Sequence, residues 1–124
     1  MRYLCLVHVD DPAVTQMLDE EQGRQLDIDS LAYDDELAAS GNFVTANALQ
    51  PPETAALVRV RDGQVSVTDG PFIETKEQLA GFLLIEARDL NDAIRLASGV
   101  PMARYGTIEV RGIYEIPVHD QPRG

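Results

Sequence analysis

The chain has 124 residues, 44% of them hydrophobic, and carries 10 Lys and Arg against 21 Asp and Glu, a formal net charge of −11. That length builds one core and is too short for two, and the apolar share is ordinary for a soluble globular domain. So acidic a chain repels polyanions at long range, and its cationic residues are scattered, which argues against direct binding to nucleic acid or to an anionic membrane.

No apolar run approaches the roughly 18–20 residues of a membrane helix. The N-terminal MRYLCLVHVDD has a single basic residue, a short apolar run and then two acids, with no small-residue cleavage site. It reads as a strand rather than a signal peptide, so a cytoplasmic protein is expected. A lone Cys5 inside that strand excludes an intramolecular disulfide and reads as a buried, inert thiol.

Residues 2–9 form the first expected strand, ended by Asp10-Asp11-Pro12. A weak helical pattern follows from Ala13 to about Ser40, in a short piece before Gly23 and a longer one after it. In the longer piece Leu26, Tyr33 and Leu37 share a face, with Asp27, Asp34, Asp35 and Glu36 turned to water, and Gly41 stops the helix. Residues 43–52 make a short extended segment ended by Pro51-Pro52. ALVRVR and QVSVTD then alternate about Asp62-Gly63, the pair preferred by a type I′ hairpin turn. Residues 80–87 are a third apolar strand. Asp89 caps a helix whose Leu90, Ala93, Ile94 and Ala97 share a face, and Thr107 to Val118 supplies the last strand.

If the hairpin lends one strand to the sheet, the order is βαββαβ: an α+β, ferredoxin-like subunit with an antiparallel sheet. One domain is expected over residues 1–118, with 119–124 as a polar tail. Both helices lie on one face of such a sheet, so its other face stays bare and apolar, and a second copy is the expected cover. The expectation is a homodimer or higher homo-oligomer.

The run VRVRDGQVSVTDGPFIETKEQLAGFLLIEARDLNDAIRLA, with RYLCLVH, LQPPETA and TIEVRGI, resembles the YCII-related family, and within it the branch marked by a DGPF(A)ETKE motif. The resemblance covers the chain apart from the tail and part of the first helix. It implies a ferredoxin-like subunit pairing into a dimeric α+β barrel, with a cleft beside the sheet that admits a small molecule. Proteins of similar architecture include lactone isomerases and cofactor-free monooxygenases. The resemblance also implies a regulatory association with an extracytoplasmic-function sigma factor as an alternative. One departure stands out: the YciI-like branch has a His–Asp pair with its His early in the first helix, and here no His lies between Val9 and Val118.

Candidate chemistry gathers at two places. His8 ends the first strand near Asp10 and Asp11, where it is either a hydrogen-bonded edge residue or a general base. Asp69-Gly70-Pro71 is satisfied as a rigid turn and Phe72 as a plug in the core or dimer contact, whereas turn-making does not require Glu74, Lys76 and Glu77. Glu74 and Lys76 fall on one side of an extended segment, where they either pair or act on a ligand, Glu accepting a proton and Lys76 holding an anionic or enolate-like charge. His8, Asp69, Glu74 and Lys76 are therefore the catalytic candidates, and Phe72, Thr75 and Glu77 the ligand-binding ones. No metal-ligand cluster and no phosphate-binding Gly-rich loop is present in the sequence, so no metal or cofactor is expected. The function expected is binding of a small organic acid or carbonyl compound, with cofactor-free proton transfer. The alternative is a non-enzymatic regulatory protein.

Overall fold

The computed structural model describes residues 1–10, 19–70 and 77–117. Most of the first piece of the expected helix, the loop 71–76 and residues 118–124 lie outside them. Among the described residues, six strands and two helices run in the order β1 (Arg2–Asp10), α1 (Glu20–Ala39), β2 (Phe43–Ala48), β3 (Ala56–Arg61), β4 (Gln64–Asp69), β5 (Glu77–Glu86), α2 (Leu90–Ala97) and β6 (Gly106–Gly112). Short 3₁₀ turns occupy Pro52–Thr54 and Pro101–Arg104.

The main sheet has the order β2-β5-β1-β6 with every pair antiparallel. Counted without the hairpin, this is the ferredoxin-like βαββαβ arrangement. The expectation that the hairpin lends it a strand is corrected here. The second sheet strand is β2, from the segment read only as short and extended, and β3–β4 is a separate two-stranded sheet. Proline at positions 51 and 52 explains the separation, because the chain cannot continue as a paired strand through them. The hairpin turn itself is as expected: Asp62 and Gly63 have φ of 52° and 73°, the left-handed pair that a type I′ turn needs.

The long helix is continuous through Gly23, whose N–H reaches the Asp19 carbonyl at 2.9 Å, so the expected break there is absent. Asp19 caps it, accepting from the Gln22 N–H at 2.7 Å, while the Gln22 side chain accepts from the Asp19 N–H at 3.0 Å. At its other end Gly41 (φ 81°) donates to Ala38 and Asn42 to Leu37, a Schellman closure. Leu26 and Leu37 are buried and Tyr33 packs on the core, as the spacing predicts.

Side-chain alternation along β1 puts Tyr3, Cys5 and Val7 into the core with Leu83 and Ile85 of β5, beneath both helices. In α2 the buried face is Ala93, Leu96 and Ala97, and Leu90 and Ile94, expected on that face, are half exposed. Asp92, which the sequence periodicity did not place on the buried face, is buried. It is only 6% exposed, accepts from the Arg88 N–H at 3.0 Å, and pairs with Arg95 at 2.8 Å. A carboxylate so well partnered is tolerated at a buried position.

Candidate functional site

The helix side of the sheet is incompletely filled. α2 packs over β1 and β6, α1 contacts β2 and the Pro101–Arg104 turn, and a cleft of about 1030 Å³ opens between α1 and the β2–β5 end of the sheet. Small residues make the room: Ala46 and Ala48 of β2 and Ala80 and Gly81 of β5 line it. A bulge shapes the same corner, since Val7 pairs with Gly81 and His8 with Leu79, leaving Ala80 without a partner in β1. The freed Ala80 carbonyl accepts from the Leu49 N–H at 2.8 Å, which draws the Leu49–Pro52 segment into the cleft wall.

The inner end of the cleft is apolar, with Val7, Leu26, Leu83 and Val100, all buried or nearly so. Met102 and Pro101 form one wall, held against α1 by Arg104, whose Nη2 lies 3.4 Å from Asp29 Oδ2. The polar rim comes from α1: Asp27, Ser30 and Asp34, at steps of three and four residues, lie on one stripe of the helix beside Leu26. Asn47, Gln50, Glu53 and Gln78 face them from the sheet side.

Asp34 stands out electrostatically. Partial burial, and then the neighbouring Asp35, raise its pKa above the ordinary carboxylate value, and its side chain makes no hydrogen bond or ion pair with any described residue. Asp27 and Asp34 were expected to face water: Asp27 is exposed, as expected, at the mouth of the cleft, whereas Asp34 is half-buried beside it. Their sequence signal is the placement of acids directly flanking the core stripe, which a solvated helix face shares. Only the cleft distinguishes the two.

The residues expected to carry chemistry are distributed otherwise. His8 lies on the open face of the sheet, away from the cleft, with Nε2 3.0 Å from Glu109 Oε1. Glu109 in turn has Oε2 3.7 Å from Arg111 Nε. Thr107, opposite His8 in the ladder, donates to Glu77 Oε1 at 3.0 Å, so His8 and Glu77 share one polar edge of that open face. Asp69 ends β4, exposed, with the following Gly70 N–H bonded to the Ala55 carbonyl at 3.0 Å. Phe72, Glu74, Thr75 and Lys76 fall outside the described residues. Among the described residues, then, His8 and Glu77 are brought near each other, and Asp69 belongs to the separate hairpin. No three His, Cys, Asp or Glu side chains among those residues group as a metal site, and no helix there is long and apolar enough to cross a membrane.

Two outward surfaces stay apolar. The central strands present Leu4, Leu6, Phe82 and Leu84 on the open face, each partly buried. On the hairpin, Val58, Val60, Val65 and Val67 pair across the strands on one side and are 56–66% exposed.

Comparison with known proteins places the chain in a family. The YCII-related domain matches residues 1–117. An uncharacterised protein of Rhizobium meliloti (strain 1021) is 34% identical over 116 residues, spanning 94% of this chain and 90% of that protein. A domain match over nearly the whole length and a relative of this similarity lead to one conclusion: the chain belongs to the YCII-related family.

Proposed function

We propose that this YCII-related protein binds a small, largely apolar organic molecule in the cleft between α1 and the β2–β5 end of the sheet. The observation that carries the reading is the cleft itself: about 1030 Å³ with an apolar inner end and a polar rim on one helix stripe, the usual build of a small-molecule site. Asp34 is the group at that rim suited to proton transfer, because partial burial holds its carboxyl more basic than an ordinary aspartate. His8 faces the other side of the sheet, beside Glu109. The run Asp69-Gly70-Pro71-Phe72 with Glu74 to Glu77 supports placing the chain in the DGPF branch of the family.

The test is binding of a neutral apolar dye such as Nile red. Saturable binding that Ala48→Trp weakens, with the circular dichroism and melting temperature unchanged, is expected. A control variant, Val58→Thr/Val67→Thr, separates the cleft from the hairpin and retains binding. Dye binding that is absent, or indifferent to Ala48→Trp, overturns the reading.

A second reading is favoured by the exposed valine face of the hairpin, which is more apolar surface than an isolated hairpin normally shows to water. In that reading the protein is a non-enzymatic regulatory module, and an extracytoplasmic-function sigma factor, with a positive surface to complement the net charge of −11, is the partner class. Self-association through the open sheet face, where Leu4, Leu6, Phe82 and Leu84 lie, accompanies either reading. Light scattering at micromolar concentration tests it, and a monomer there rules it out.

A further inference from the structure

The charge of the cleft narrows what it takes. Its described lining includes Asp27, Asp34 and Glu53 and no Lys, Arg or His. Neither Asp27 nor Asp34 has an ion-pair partner among the described residues, and Arg104, beside the Pro101–Met102 wall, is directed to Asp29 instead. A carboxylate ligand entering this site loses hydration and meets like charge at the rim, which a site of this kind rejects. A ligand whose apolar body fills the inner end and whose ammonium group stands at the rim does the reverse, giving Asp34 the counter-charge it lacks.

We infer that the ligand of the α1–sheet cleft is an amphipathic organic cation, an amine joined to a compact apolar body, rather than an organic acid. The inference rests on the cleft being a binding site. The cavity supplies the site, and the two carboxylates on one helix stripe supply the selection. Asp27, Ser30 and Asp34 present two acceptors and a hydroxyl to the three N–H donors of a primary ammonium, while Val7, Leu83 and Val100 cover the apolar part. Among the described residues, the charged and polar side chains that line the cleft with Asp34 include Asp27 of its own helix and Glu53 and Gln78, none of them cationic, and Asp35 adjoins Asp34 in sequence. The preference is therefore set by fixed negative charge, and it weakens as salt screens the rim.

Three probes of one shape and different charge separate the possibilities: tryptamine (cationic), tryptophol (neutral) and indole-3-propionate (anionic). Each is titrated into the full-length ¹⁵N-labelled protein at pH 7, with binding read from amide shifts of cleft residues such as Ala46, Gly81 and Leu83. Tryptamine is expected to bind about two- to fivefold tighter than tryptophol, the range of a solvent-accessible ion pair, with indole-3-propionate weakest. Asp27→Asn/Asp34→Asn should abolish the preference for tryptamine over tryptophol, and raised salt in the wild type should weaken it. If tryptophol shifts the cleft amides but tryptamine binds no tighter, the charge inference is overturned while the cleft remains a binding site. If none of the three shifts those amides, the cleft reading itself fails, and this inference with it.

Discussion

The Tyr33 hydroxyl donates to the Leu96 carbonyl at 2.5 Å, tying the middle of α1 to the last turn of α2. Leu96 also accepts from the Gly99 N–H at 3.2 Å, and a Cβ on Gly99 would stand 2.5 Å from the same Tyr33 oxygen. One aromatic ring thus both bonds the end of α2 and forbids a side chain just beyond it. Tyr33→Phe should cost about 1–2 kcal/mol, the penalty for a part-buried hydrogen bond removed from one side. Gly99→Ala should be destabilising in the wild type and distinctly less so in a Tyr33→Ala background. Denaturant melts of the double-mutant cycle measure the coupling, and additive effects would contradict the contact.

Two aspartates predict opposite responses to pH. Asp92 is held at about 2, first by the Arg88 N–H and then by the Arg95 side chain, below its ordinary 3.8. Its charged form therefore stabilises the fold above the ordinary carboxylate range, and that contribution is lost as pH falls from about 3.8 toward 2. Asp92→Asn should lower the melting temperature at pH 7 and narrow its difference from wild type across that acid window.

Asp34 has the opposite sign. Its pKa is raised by partial burial and by Asp35, so its charged form costs stability at neutral pH and protonation relieves that cost. Asp34→Asn is expected to raise the melting temperature at pH 7, with the gain shrinking as pH falls into the carboxylate range. A residue whose removal stabilises the protein is common at sites kept for function. Equal melting curves for variant and wild type at pH 7 would remove the electrostatic argument for the rim.

Burial pushes the Cys5 thiol up to about 11, and its side chain is 1% exposed. The native protein should resist a thiol reagent such as Ellman's at pH 8, and react with one equivalent once unfolded. Fast labelling of native protein would place β1 differently from the fold described above.

Ile85 and the hairpin valines separate core from surface. Ile85 is 1% exposed between the helices and the sheet, so Ile85→Ala should cost about 2–5 kcal/mol. Val58→Thr/Val67→Thr changes two side chains that are 64% and 62% exposed, and should alter the stability of the chain by less than about 0.5 kcal/mol per site. If those valines contact a partner or a second copy, the same variant reduces the sedimentation coefficient or the capture of that partner without shifting the melt of the isolated chain.

Features set by neighbouring residues were legible in the sequence. The Asp62-Gly63 turn, the Gly41 stop, the Asp89 cap and the alternation of Tyr3, Cys5 and Val7 each depend on a few adjacent positions, and each stands in the structure where the pattern placed it. The family signature was equally local. What the sequence left open was which strands pair: β2 has modest β character, yet it takes the sheet edge beside β5, while the more regular β3–β4 hairpin stays apart. Pairing energy is shared between segments distant in the chain, so the regularity of one segment does not announce its neighbour. The same reason hid the cleft. Asp27 and Asp34 have the spacing of a solvated helix face, and only the small residues of β2 and β5 packed opposite them turn that face into the rim of a cavity. His8 shows the converse: strand alternation alone assigned it the face of Leu4 and Leu6, but that this face lies away from the cleft, and that Glu109 meets it there, was decided by packing β6 against β1.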